Sequence, residues 1–167
     1  MSKKIYFLLF LILCLSFSLS ACDDETDENS IDKKSTITSS VSERESWVFY
    51  WYLCGSDLES EYGCASLDLE ELGNVTLPEN VSVVFEAGGA STWYNDFDPE
   101  VLTRGVYNSD GMQILEELPS ANMGDPEVLT DFLSYCNENF TADHRAIIFW
   151  NHGGGSVAGA SFDEIYD

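Results

Sequence analysis

Trp47-Val48-Phe49-Tyr50-Trp51-Tyr52-Leu53, followed by Cys54-Gly55-Ser56-Asp57-Leu58-Glu59, decides the fold. The first seven residues are aromatic or apolar without alternation, which reads as a strand buried on both faces. Gly55 breaks the run. Ser56-Asp57-Leu58-Glu59 then has the form of a capping box, in which Ser56 accepts from the amide of Glu59 and Glu59 reaches back. Leu58, Tyr62, Leu69 and Leu72 recur at helical spacing, with Ala65 between them and Gly73 as a stop. The chain is therefore expected to make a strand, a turn and a helix.

Downstream the pattern repeats. Val81-Ser82-Val83-Val84-Phe85-Glu86 reads as a second strand ended by Gly88-Gly89. Residues 90–102 are irregular. Arg104–Tyr107 and Met112–Leu115 flank Asn108-Ser109-Asp110-Gly111, the signature of a hairpin with glycine at the turn. Asp125 is a natural helix N-cap and Pro126 suits the first helical position. The stripe Val128, Leu129, Phe132, Leu133 and Cys136 gives that helix a buried face. Ala146-Ile147-Ile148-Phe149-Trp150 reads as a third buried strand and runs into Asn151-His152-Gly153-Gly154-Gly155. Strands alternating with helices predict an α/β fold with a parallel sheet covered by helices on both faces. Chemistry in such sheets sits beyond the carboxyl ends of the strands, where His152 falls.

Upstream, residues 1–21 read as a signal: basic at Lys3-Lys4, apolar from Ile5, small at the end. Leu19-Ser20-Ala21-Cys22 resembles a bacterial lipobox. That resemblance implies a diacylglyceryl group on the Cys22 sulfur, an anchor to the membrane through buried acyl chains, and an extracytoplasmic, membrane-attached address. Residues 22–45 begin Cys-Asp-Asp-Glu-Thr-Asp-Glu and carry few apolar side chains, which predicts an acidic disordered tether. The ordered domain is expected over 46–167. The chain has 7 basic and 30 acidic residues. Lys3 and Lys4 leave with the acid-free signal, so the mature part has a formal charge of −25. That balance excludes a nucleic-acid partner, which needs a basic face.

A histidine leaving a buried strand into three glycines is the feature that points to chemistry. Imidazole exchanges a proton near neutral pH, and glycine exposes a backbone amide to a ligand. Together they supply a base and an oxyanion donor for acyl transfer. The bare pattern leaves open a structural histidine before a flexible loop. A phosphate-binding glycine loop would need a lysine and a glycine spacing that are missing here. His144 reads as a surface residue. Cys54, Cys64 and Cys136 are odd in number and contain no CxxC, so they read mostly as small buried residues and not as a zinc site.

Three stretches together resemble the clostripain (C11) family of cysteine peptidases: Tyr52–Glu59, Asn122–Phe132 and Ile147–Gly155. The resemblance implies a caspase-like fold, with a mainly parallel sheet flanked by helices, and cleavage of peptide or protein substrates after arginine or lysine by a Cys-His dyad. It puts the catalytic histidine on His152 and the oxyanion amide on Gly153. The family's nucleophile ends the next strand in an Asp-x-Cys motif, which this sequence does not contain. The chain is accordingly expected to be a fragment, a processed chain or the product of a truncated gene. The fold should be incomplete at its C-terminus, with one edge and one face of the sheet bare. The catalytic cysteine is expected on a second chain or a downstream segment, and this chain alone should be inactive. The other reading is a surface lipoprotein that has lost catalysis and serves as a binding module. No cofactor or metal is expected from the residues; the resemblance admits calcium, which the sequence itself does not show.

Overall fold

The computed structural model describes residues 44–155 and 159–166. The signal, the lipobox cysteine Cys22 and nearly all of the tether lie outside the described residues. Five strands form one sheet: β1 (Trp47–Cys54), β2 (Val81–Gly88), β3 (Val101–Asn108), β4 (Gly111–Pro119) and β5 (His144–Trp150). The helices are α1 (Ser56–Ser60), α2 (Cys64–Gly73) and α3 (Pro126–Asn139). Strand order is β4-β3-β2-β1-β5. β1 pairs in parallel with both β2 and β5, while the β3–β4 hairpin extends the sheet antiparallel from β2. The expected parallel core and the expected hairpin are both present.

The apolar run of β1 is explained by its two covered faces. Val48, Tyr50, Tyr52 and Cys54 pack with Val84, Leu102 and Val106 beneath Phe132 and Cys136 of α3. Trp51 and Leu53 pack on the opposite face with Val83, Phe85 and Ala87 beneath Ala65 and Leu69 of α2. Phe132 and Cys136 are fully buried, which confirms the stripe read for α3. The hairpin turns at Ser109-Asp110, with Asn108 Oδ1 accepting the Asp110 amide at 2.8 Å and Gly111 at φ 98°.

Local expectations fail at three points. Leu58 to Leu72 do not form one helix: Gly63 adopts φ 67°, and the chain splits into α1 and α2, leaving Tyr62 exposed. The capping box does not form. The N-cap of α1 is Gly55, with no side-chain cap. Glu59 is instead fully buried, accepting the Ser66 amide at 2.9 Å, the Ser66 hydroxyl at 2.5 Å and the Tyr94 amide at 2.7 Å. Asp125 does occupy the N-cap of α3, with Pro126 behind it, but its side chain makes no cap bond. Finally, β5 is an edge strand among the described residues. Ile147, Ile148 and Phe149 are 40, 42 and 46% exposed, so the apolar run is genuine but only partly covered.

A charge cluster centred on the buried Arg104 ties α3 to the sheet. Arg104 of β3 donates to Glu86 of β2 at 2.5 Å, to Glu116 of β4 at 3.0 Å and to Asp131 of α3 at 2.5 Å. Its guanidinium also lies 4.6 Å from the centre of the Tyr135 ring. Among the described residues no helix is long and apolar enough to cross a membrane.

Candidate active site

The parallel pairing of β1 with β5 puts their carboxyl ends side by side, with Leu53 opposite Trp150. Whatever follows each strand must emerge at the same edge of the sheet. Asn151 and His152 follow β5; Gly55, Ser56 and Asp57 follow β1. His152 Nε2 lies 2.6 Å from Asp57 Oδ1. Both side chains are about half exposed, at 49 and 42%. The hydrogen bond from His152 is the main influence holding the Asp57 carboxyl below the usual carboxylate range.

Asn151 fixes the backbone on the other side. Its Nδ2 donates to the carbonyls of Cys54 and Phe162, each at 2.9 Å, and its Oδ1 accepts the His152 amide at 2.8 Å. The segment 159–166 lies over this end of the sheet. There Asp163 is buried and accepts the amides of Met123 at 2.8 Å and Ile165 at 3.0 Å. Glu164 accepts the Ser91 amide at 2.6 Å. Gly153 adopts φ 71°, a left-handed conformation that any side chain would strain, and a Cβ built there would meet nothing within 4 Å. The glycine is therefore present for its backbone geometry and not to make room for a neighbour.

The cysteines behave as the sequence suggests. Cys54 closes β1 beside this site, but its thiol is fully buried and donates to the Phe162 carbonyl at 3.2 Å. Burial, reinforced by Asp163, pushes that thiol up to about 12. Cys136 lies in the core and burial likewise pushes it up to about 12. Cys64 starts α2 and is half-buried. His144 is a surface residue, stacked on Trp47 at 4.4 Å and 2.8 Å from Glu45.

Sequence reasoning places His152 and Gly153 at the carboxyl edge of the sheet, where the structure has them, but it misses Asp57 and Asn151 as their supports. A local capping motif accounts for Asp57 and so hides it. The available signal is topological: a carboxylate just past the end of one parallel strand and a histidine just past the end of another.

The family model described as the clostripain family, peptidase C11, matches residues 51–164, about two thirds of the chain. The chain belongs to the clostripain family. Clostripain from Hathewaya histolytica is 44% identical over 62 residues, which is 37% of this chain and 9% of that protein. The chain thus matches only a small part of that relative's length. A solved B. fragilis cysteine protease superposes with a TM-score of 0.53 at 16% identity, covering 70% of this chain and 97% of that one. That likeness shows the shared fold, a mixed sheet flanked by helices.

Proposed function

We propose that this chain is the histidine-bearing portion of a clostripain-type cysteine endopeptidase. His152 acts as the base toward a catalytic thiol, and the Gly153 amide receives the oxyanion of the tetrahedral intermediate. The observation that carries this reading is the placement of His152 at the carboxyl edge of the sheet, ring and backbone both held, in a chain of the clostripain family. We place the thiol on a downstream segment or a second chain: no Asp-x-Cys motif occurs in the sequence, and burial pushes the Cys54 and Cys136 thiols up to about 12. Cleavage after arginine or lysine is proposed on the family resemblance alone. Residues 1–21 act as a lipoprotein signal and Cys22 carries the lipid, which places the domain outside the cytoplasm on a membrane surface.

A second reading is favoured by the same buried thiols: a lipoprotein that keeps the fold as a binding module without catalysis. The test is hydrolysis of arginyl and lysyl peptide substrates by the longest protein the gene encodes. Cleavage that His152→Ala reduces by more than tenfold, with an unchanged thermal transition, supports the peptidase. Retention of more than about a tenth of the activity corresponds to under about 1.4 kcal/mol of transition-state stabilisation, too little for a base. Peptide binding without any hydrolysis supports the binding module.

A further inference from the structure

We propose that Asp57 is the positioning residue for His152: it accepts the Nε2 proton, fixes the ring, and leaves Nδ1 as the nitrogen that takes the proton of the nucleophile. The inference rests on His152 being the base. The distance is 2.6 Å, and an ionised carboxylate can only accept, so Nε2 must be the donor. In the neutral ring the lone pair then lies on Nδ1. When Nδ1 takes the thiol proton, the sulfur lone pair attacks the scissile carbonyl carbon and the carbonyl electrons move to oxygen. The imidazolium so formed keeps its Nε2 proton, which it donates as a hydrogen bond to the Asp57 carboxylate. The Nδ1 proton then passes to the leaving amine as the carbon–nitrogen bond breaks.

Two observations show that this contact is not there for stability. An ion pair as exposed as Asp57 and His152 adds little or nothing to the stability of a fold. Yet the residue before Asp57, Ser56, is held at φ 49°, a left-handed conformation that is costly for any residue but glycine. Ser56 is fully buried and its amide is pinned by the Gly89 carbonyl at 2.9 Å. The strained turn is thus rigid, and it delivers Asp57 to the ring. Asn151 holds the histidine backbone from the opposite side, so the imidazole is fixed at both ends.

The test compares the full encoded protein with its Asp57→Ala, Asp57→Glu and His152→Gln variants, each with a matching thermal transition. With histidine labelled in nitrogen-15, the wild type should show a slowly exchanging, downfield Nε2–H signal. It should be missing in His152→Gln and in Asp57→Ala. For peptide hydrolysis, Asp57→Ala should lower kcat by roughly tenfold to a hundredfold, the scale expected of a misplaced catalytic group. KM should stay within about twofold, and Asp57→Glu should recover part of the loss. An Nε2–H signal that survives in Asp57→Ala, or a kcat within about twofold of wild type, overturns the proposal. If the wild type cleaves no peptide, the assignment of His152 as base fails separately. The Asp57-dependent signal then decides alone: its presence supports the positioning contact and its absence overturns it.

Discussion

Replacing Glu86 with glutamine should make the protein's stability less sensitive to pH, and the size of the effect follows from the structure. Glu86 is fully buried on β2. Its Oε2 accepts from Arg104, while Oε1 has no partner among the described residues. Burial raises its carboxyl from 4.5 to about 7 even though Arg104 pulls it down; Asp131 and Glu116 add to the rise. A carboxyl raised in the folded state binds a proton that the unfolded chain has already released. Its contribution is therefore fully present below about pH 4.5 and is lost progressively as the pH rises through about 7. The gap between those values, at about 1.4 kcal/mol for each tenfold change in proton affinity, amounts to roughly 3 kcal/mol. The glutamine side chain keeps the shape of the protonated acid and an acceptor for Arg104 but cannot titrate. Urea unfolding of wild type and Glu86→Gln should be compared at about pH 4.5 and about pH 8. The stability of the variant relative to wild type should rise by roughly 3 kcal/mol between the two, whatever its sign at either. A difference constant to within about 0.5 kcal/mol would show that Glu86 is ionised throughout, with Arg104 outweighing burial, and would refute the reasoning.

Two further outcomes are expected. Glu59→Ala removes the acceptor of the Ser66 amide and hydroxyl and of the Tyr94 amide, so it should cost about 3 kcal/mol in urea unfolding and expose residues 90–97 to limited proteolysis; an effect below about 0.5 kcal/mol would mean that water replaces the carboxylate. Cys22→Ser should abolish incorporation of a labelled fatty acid, because serine cannot form the thioether, and undiminished label would reject the lipobox.

Most of the fold was legible because its strands announce themselves without alternation. Trp47–Leu53 could not be so apolar unless both faces were covered, and α2 and α3 cover them. Asn108-Ser109-Asp110-Gly111 carried its own turn chemistry, and the stripe from Val128 to Cys136 its own helix. The break at Gly63 was not legible, because a periodic pattern of leucines is silent about backbone sign. The reason lies far away in sequence: the Tyr94 ring sits where a Cβ on Gly63 would be, 2.8 Å from Tyr94 Cγ. Arg104 read only as the start of a strand, although a buried arginine within an apolar run implies carboxylates placed to receive it.

The candidate site shows the same limit in sharper form. Ser56-Asp57-Leu58-Glu59 satisfies a local rule for starting a helix, and the local rule lost twice. Glu59 turned inward because one buried carboxylate could satisfy two amides and a hydroxyl that would otherwise be stranded where the loop meets α2. Asp57 was left free to face His152, 95 positions later. Nothing within four residues of sequence could reveal that choice, because it depends on which strand lies beside β1. A parallel crossover says that two strands run the same way, not that they are neighbours. Once β5 is placed directly against β1, with Leu53 opposite Trp150, the residues two past the end of β5 and three past the end of β1 have to meet. Had β5 paired antiparallel, His144 would stand at that edge in place of His152, and the histidine followed by glycines would lie at the opposite end of the sheet. Strand direction and adjacency are thus what turn two unrelated local motifs into one site.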